Sequence, residues 1–281
     1  MADWQEPVQE LLRSTDQDLY LASLFFPEDK RSTVQALYAF AADVARIALV
    51  VSEAQLGEIR LQWWQDTVEA IYQGDAQANP IAQGLAQAVV LGNLPKHGLL
   101  NLITAHQFDL YSDPMASMVD LEGYLGETQS VLVQMAASIL NEEDALECTE
   151  ASGLAGVAYG LASLLRSLAL WLARRSNFLP ADLMDMRGLG LDNIKAPDFE
   201  AARGVMLAEL REHARARLIQ ARKAAWTIKP ELKPAFLHVA LTEARLNLLT
   251  KAGSSLVFRP VDLMQWRKQW ILWKAARTET F

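Results

Sequence analysis

Apolar residues recur at helical spacing along most of this chain. After Lys30 they step by three and four residues, at Val34, Leu37, Ala41, Val44, Ala48 and Val51. This is the period of one helix face, so we predict a single helix there. A second helix follows the break at Ser52 to Gly57 and closes near Gly74. Its predicted buried face comprises Leu56, Ile59, Trp63 and Ala70.

A third periodic run is the most apolar helix that the pattern predicts. It ends before Pro180 and contains Leu154, Val157, Leu161, Leu164, Leu168 and Trp171. Further helices are predicted at 78–92, 95–112, 117–140, 198–228, 231–250 and 260–277. No alternating strand pattern competes with them, and Arg187 to Pro197 is predicted to be irregular. The sequence thus predicts an all-α protein with one domain over 1–281 and no internal boundary.

The composition limits which kinds of protein, partner and metal site are compatible with this chain. With 281 residues, 51% of them hydrophobic, the chain is long enough for one large core. Its apolar runs are too short for a membrane span, and its net charge of −8 argues against nucleic acid as a partner. The single cysteine, Cys148, and four scattered histidines indicate neither a disulfide nor a zinc site. The acidic N-terminus is unlike a targeting signal, so we expect a cytoplasmic protein.

Several segments, taken in order and spacing, resemble the squalene/phytoene synthases over roughly residues 15 to 185. They are Tyr20-Leu-Ala-Ser-Leu-Phe-Phe-Pro27, Tyr38-Ala-Phe40, Gly57-Glu-Ile-Arg-Leu-Gln-Trp-Trp64, Gly156-Val-Ala-Tyr-Gly-Leu161, Leu165-Arg166 and Phe178-Leu-Pro-Ala-Asp182. The resemblance implies an isoprenoid (terpenoid) synthase-type helical bundle around a central apolar cavity. Within the family, the chain is most similar to a divergent branch that includes a mitochondrial complex I assembly factor.

The resemblance also implies where a metal site would lie. Active members condense two prenyl diphosphates and hold Mg²⁺ with two Asp-x-x-x-Asp motifs, since carboxylates at i and i+4 share one helix face. The first pair of positions carries Ala45 and Leu49 here, and the second carries Ser167 and Trp171. None of these side chains is a good ligand for Mg²⁺. We therefore expect no metal and no other cofactor, with Mg²⁺ required only if the protein is nevertheless an active synthase.

A register slip does not restore the first motif. Asp43 lies two positions before the expected aspartate, which rotates it by about 200° around a helix. Arg46 and Arg166 could bind a diphosphate directly, or they could form ion pairs with Asp43, Glu53 or Glu58, which we favour. The candidate residues for a cavity or an anion site are Tyr38, Asp43, Arg46, Tyr159, Ser163, Arg166 and Ser167.

The terminal predicted helix carries an aromatic stripe interleaved with bases, namely Trp266, Trp270 and Trp273 with Arg267, Lys268 and Lys274. Such a helix could contact a membrane interface or a partner protein. The interpretation we favour has the tryptophans packed on the bundle and the bases in water. Peripheral membrane contact thus stays open, without a membrane span.

Three hypotheses for function follow from the resemblance. The first is a catalytically degenerate member that binds partners in respiratory complex assembly. The second is an active head-to-head prenyltransferase of the squalene or phytoene synthase type, working on farnesyl or geranylgeranyl diphosphate with a rearranged site. The third is a carrier of an isoprenoid lipid. The implied partners are an isoprenoid or prenyl diphosphate ligand and a protein of the respiratory assembly process.

Overall fold

The computed structural model describes residues 4–75, 77–174, 177–278 and 280–281. Helices dominate the first half of the chain, as the periodicity predicts. In order these are α1 Gln5–Thr15, α2 Gln17–Ser23, α3 Glu28–Ala45, α4 Ile47–Val50, α5 Ala54–Gln73, α6 Pro80–Gly92, α7 Lys96–Ala105, α8 Met118–Leu125 and α9 Val131–Leu140. A single turn of π-helix, Gly126–Ser130, joins α8 to α9.

The second half is also helical. Its α-helices are α10 Glu142–Ala145, α11 Thr149–Arg166, α12 Leu168–Ala173, α13 Ala181–Asp185, α14 Glu200–Ala224, α15 Leu241–Ala252 and α16 Gln265–Thr278. Tighter 3₁₀ turns occupy Phe108–Leu110, Leu146–Cys148, Pro197–Phe199, Ala225–Thr227, Pro230–Ala240 and Gly253–Val257. Between α13 and the turn at 197 the backbone makes irregular turns, which confirms the predicted loop.

One feature departs from the all-helical prediction. Two short parallel strands, β1 Pro114–Met115 and β2 Asn177–Pro180, pair with each other through an irregular register. Neither segment alternates polar and apolar residues over the four to eight positions that reveal a strand in a sequence, so periodicity could not identify them. They hold the segments after α7 and after α12 together.

Several helix ends have clear local causes. The side chain of Asp16 caps α2 by accepting the backbone N–H of Leu19 at 3.0 Å. Asn79 caps α6 in the same way, and Pro80 follows at the first helical position. Gly74 ends α5 with φ of +85°, a conformation that glycine adopts without steric cost. The closure near Gly74 is therefore confirmed.

Two of the predicted continuous helices are interrupted in the structure. The run from 30 to 51 breaks at Arg46, between α3 and α4, and the run from 154 to 171 breaks at Ser167, between α11 and α12. The first interruption directly follows position 45 and the second falls at position 167, two of the positions where the resemblance locates metal ligands. Hydrophobic spacing alone misses them because the apolar residues continue in step on both sides.

The predicted buried face of α5 is wrong. Leu56, Ile59 and Trp63 are exposed, whereas the buried side of the helix consists of Gly57, Leu61, Trp64, Thr67, Val68 and Ile71. The adjacent tryptophans nevertheless divide as expected from their angular separation, with Trp64 in the core and Trp63 at the surface.

Packing centres on α3 and α11. Helix α3 contacts α1, α6 and α9, and α11 lies along α14 and against the π-helical turn. The approach to that turn is close because Gly156 has no side chain: a Cβ atom there would lie 2.3 Å from Ser130 Cα. The described residues include no helix long and apolar enough to span a membrane.

Candidate functional site

A group of charged side chains, buried on one side and open to solvent at Arg166 and Asp262, lies where α2, α11, α15 and α16 meet. It comprises Asp18, Arg166, Arg245, Asp262 and Lys268, which we call the polar core. Asp18 is the second residue of α2, and Asp262 lies in the irregular segment before α16. Arg245 is wholly buried, and Asp18 and Lys268 nearly so. Charged side chains are rarely this deep unless they are paired.

Every charge of the polar core has an opposite partner. Arg245 Nη2 donates to Asp18 Oδ2. Lys268 Nζ lies 2.9 Å from Asp18 Oδ1 and 2.6 Å from Asp262 Oδ2. Arg166 Nη1 donates to the same Asp262 oxygen at 3.1 Å. The two carboxylates thus bridge three cations that come from three different helices.

Polar and aromatic side chains enclose this network. Tyr159 Oη donates to Asp18 Oδ2 at 3.3 Å, and its ring faces the Arg245 guanidinium at 5.6 Å. Arg245 Nη1 donates to Ser163 Oγ at 3.2 Å. His238 packs edge-on against Tyr159 and Tyr38, with ring centroids 4.7 and 6.3 Å apart. The Tyr38 hydroxyl has no hydrogen-bond partner among the described residues.

The opposite charges of the polar core favour the ionised forms of Asp18, Arg245 and Asp262. Burial opposes ionisation of Asp18, but attraction to Arg245 and Lys268 outweighs it and holds the pKa of Asp18 below its usual range. Burial likewise opposes the charge of Arg245, yet Asp18 raises its pKa above the ordinary value. The pKa of Asp262 is also lowered, because Arg245 and Lys268 outweigh its partial burial. Asp18, Arg245 and Asp262 are therefore ionised at neutral pH.

Two neighbours of the polar core have pKa values shifted from their ordinary values in opposite directions. Burial and the adjacent Asp18 raise the pKa of Asp16 to about 6. Burial lowers the pKa of His238 to about 4, so its imidazole is neutral at pH 7. With Asp16 ionised, three carboxylates balance the cations Arg166, Arg245 and Lys268. Their positive charge is thus already neutralised from within the protein.

Asp43 and Arg46 form a separate pair on α3. Arg46 Nε donates to Asp43 Oδ1 at 2.9 Å, and Trp64 Nε1 donates to Asp43 Oδ2 at 3.0 Å. Of the two alternatives for Arg46, the structure contains the ion pair. Arg166 also forms an ion pair, but its partner Asp262 was not among the expected carboxylates.

The four positions that would hold Mg²⁺ offer no set of oxygen ligands. Ala45 ends α3, and the backbone carbonyl of Leu49 accepts a hydrogen bond from Arg174 Nη2 at 2.6 Å. Ser167 is a single hydroxyl at the interruption after α11, and the ring of Trp171 packs edge-on against Phe178 at 4.9 Å. No cluster of three or more His, Cys, Asp or Glu that could hold a metal occurs in the described part of the chain. The residues present do not fit magnesium.

The structure thus divides the candidate residues. Tyr38, Tyr159, Ser163 and Arg166 gather around the polar core, whereas Asp43 and Arg46 pair elsewhere. Sequence reasoning missed Asp16, Asp18, His238, Arg245, Asp262 and Lys268. A usable signal existed for Arg245, which lies four residues from both Leu241 and Leu249 on the buried stripe of α15.

The expectation for the terminal helix is wrong for the three tryptophans and for Lys268, whereas Arg267 and Lys274 are exposed as expected. Lys268, Leu272 and Ala275 form the buried side of α16, and the three tryptophans point outward. The reason is the pairing of Lys268 with Asp18 and Asp262, which draws this face of the helix inward.

Comparison with known proteins gives a consistent result. The family model described as squalene/phytoene synthase matches residues 12–274. The human protein named NADH dehydrogenase (ubiquinone) complex I, assembly factor 6, is 31% identical over 251 residues, which cover 89% of this chain and 75% of that protein. The phytoene synthase of Thermus thermophilus is 24% identical over 278 residues, covering 97% of this chain and 92% of that enzyme.

Solved structures agree on the fold. A dehydrosqualene synthase in complex with a ligand superposes with a TM-score of 0.82 at 17% identity, covering 98% of this chain and 95% of that one. A squalene synthase from Alicyclobacillus acidocaldarius gives a TM-score of 0.75 at 21% identity, covering 89% of this chain and 94% of that one. The all-α isoprenoid synthase fold follows from these matches.

Proposed function

This chain belongs to the squalene/phytoene synthase family, and we propose that it is a non-catalytic member that binds protein partners during assembly of respiratory complex I. One observation carries the proposal: the positions 45, 49, 167 and 171 have lost every carboxylate of the family's metal motifs. Mg²⁺ stabilises the charge of the diphosphate leaving group, and no substitute ligand set occurs among the described residues.

The polar core supports the same proposal. A prenyl diphosphate needs unpaired cations to balance its charge. Here Arg166, Arg245 and Lys268 already contact Asp18 and Asp262. Binding a diphosphate would have to displace a buried carboxylate from its partners, which is costly in a region of low dielectric. The cations therefore stabilise the fold rather than a substrate.

The relatives support the assembly role in this proposal. Proteins named as complex I assembly factor 6 in human and cattle are each 31% identical to this chain over 251 residues. The Thermus phytoene synthase is less similar, at 24% identity. That enzyme, which aligns over almost the whole chain, is the main reason to keep an active prenyltransferase as the second candidate.

The proposal is tested by deleting the gene in the organism that encodes it. We expect less assembled complex I in membranes, measured on native gels and as NADH–quinone activity, with recovery when this chain is expressed again. The Thermus phytoene synthase is the matched control and should not restore the complex. The purified chain should also release no diphosphate from prenyl diphosphates. Normal complex I in the deletion strain would contradict the assembly role.

A further inference from the structure

The outer face of α16 is aromatic. Trp266 and Trp270 are 65% and 57% exposed, and Trp273 stacks on Trp270 with ring centroids 5.1 Å apart. None of these rings is needed for the core, because Lys268, Leu272 and Ala275 form the buried side of the helix. Tryptophan at this degree of exposure loses favourable burial, so its presence on one face indicates an interaction surface.

A groove extends this face across the molecule. It lies between α16, α15, the end of α14 and the turn Pro230–Ala240, with a volume of about 1160 Å³. Trp226, which is 88% exposed, lines it opposite the α16 tryptophans, and Phe236 and Ile271 also line it. We call this groove together with Trp266, Trp270 and Trp273 the aromatic face. Its indole rings thus come from two separate segments of the chain.

The charge of the aromatic face is opposite to that of the whole protein. Among the side chains that line the groove, four are basic and one is acidic: Arg222, Lys233, Arg267 and Lys274, with Glu243. Arg222 Nη1 lies 3.6 Å from Glu243 Oε2, so these two charges offset each other. The net positive charge of the groove then includes Arg267 and Lys274 on α16. The chain as a whole has a net charge of −8. A basic surface on an acidic protein favours a negatively charged partner at this face.

We propose that the aromatic face docks on an anionic membrane surface. Tryptophan prefers the boundary between headgroups and acyl chains, where its ring is apolar and its N–H remains hydrated. Arg267 and Lys274 are exposed and directly follow Trp266 and Trp273 in the sequence, so their charges are available to lipid phosphates. A lipid surface suits protruding rings better than a protein partner, which would have to provide a separate pocket for each. The proposal does not depend on the proposed function.

The experiment uses the full chain and two kinds of vesicle, phosphatidylcholine alone and phosphatidylcholine mixed with phosphatidylglycerol. We expect co-sedimentation with the anionic vesicles, weakened by salt, and a blue shift of tryptophan fluorescence. The double variant Trp226→Ala/Trp270→Ala should reduce binding at least about tenfold. It removes two aromatic rings that would be buried in the membrane, and their burial contributes more than the ~1.4 kcal/mol that corresponds to a tenfold change in affinity. Arg267→Glu/Lys274→Glu should remove the preference for phosphatidylglycerol.

Trp63→Ala is the matched control. Trp63 is also an exposed tryptophan, but it lies on α5, whose main neighbours are α4, α6 and α7. This variant should bind like the parent, and circular dichroism would establish that each variant is folded. Failure to bind either vesicle, equal binding to both, or full binding by the Trp226/Trp270 variant would overturn the proposal. If the same two tryptophans were needed only for capture of a protein in the absence of lipid, the occupant would be that protein.

Discussion

A fully buried arginine is the most consequential single residue in this protein. Arg245 has no contact with solvent and depends on Asp18 for its counter-charge. A buried pair of this kind adds little net stability compared with apolar residues of the same shape. Removal of Arg245, in contrast, leaves Lys268 as the remaining cation beside the buried Asp18 carboxylate, whose charge is then only partly compensated. The effect of a substitution here thus depends on which groups remain.

The variant Arg245→Met tests this dependence. It retains the volume and loses the charge, so we expect the free energy of unfolding in urea to fall by about 3–5 kcal/mol. The double variant Asp18→Asn/Arg245→Met should recover part of that loss, because the buried carboxylate that has lost its arginine is then absent, while Lys268 retains Asp262 as its partner. If the effects of the two single variants simply add, Asp18 and Arg245 are not coupled and this account of the polar core is wrong.

Asp16 gives the polar core a pH dependence. Its pKa is raised from 3.8 to about 6, so the folded protein holds this proton more tightly than the unfolded chain does. Between those two values, rising pH therefore removes stability. His238 acts in the opposite sense: its pKa is lowered from 6.5 to about 4, and its contribution is lost as pH falls. The two contributions largely cancel in the parent protein.

The variant Asp16→Asn separates the pH-dependent contribution of Asp16 from that of His238. Asparagine retains an oxygen that can cap α2 but does not titrate. We expect the variant to gain stability relative to the parent as the pH increases, with a difference larger by about 2–3 kcal/mol at about pH 8 than at about pH 4. Urea unfolding of both proteins at the two pH values measures it. A difference independent of pH would mean that the pKa of Asp16 is not raised by folding.

At the scale of elements, α11 depends on close approach to the turn Gly126–Ser130. The helix presents Gly156 and Gly160 to that turn, and Ser130 Oγ donates to the carbonyl of Gly153 at 2.8 Å. Close helix packing therefore accounts for glycine at positions 156 and 160. The close contact positions Tyr159, Ser163 and Arg166 toward the polar core.

Gly156→Ala is expected to destabilise the protein. Its Cβ would lie 2.3 Å from Ser130 Cα, a backbone atom that cannot move aside cheaply. We predict a loss of about 1–3 kcal/mol in thermal or urea unfolding. Gly153→Ala is the matched control on the same helix, with nothing within 4 Å of its Cβ, and should stabilise by about 0.5–1 kcal/mol. Equal effects of the two substitutions would exclude close packing as the cause.

Spacing predicts most of the long helices but not α1 and α2, and it does not always identify which side of a helix is buried. On α5 an apolar stripe and the buried side differ, because Leu56, Ile59 and Trp63 are as apolar as the residues that are buried. On α16 the choice between burying tryptophan and burying Lys268 depends on Asp18, which is remote in sequence. Periodicity contains no information about such a partner.

For the whole molecule, the fold could be predicted from the order of a few short segments, whereas the polar core could not. Asp18 and Arg245 are 227 positions apart, and neither belongs to the segments that carry the resemblance. The missing metal ligands were visible in the sequence because the resemblance fixes where they should lie. The groups found near these positions depend on tertiary contacts and are not visible in the sequence. They are the Asp43–Arg46 ion pair at the end of α3 and the polar core, whose charges neutralise one another.

The most direct test of the central claim is release of diphosphate from farnesyl and geranylgeranyl diphosphate by the purified protein, with and without Mg²⁺. Product analysis should accompany it, with the Thermus phytoene synthase as the positive control for substrate and metal. Because no ligand set for Mg²⁺ occurs among the described residues, we predict no metal-dependent release above the protein-free blank. Mg²⁺-dependent turnover to a squalene-like or phytoene-like product would contradict the account.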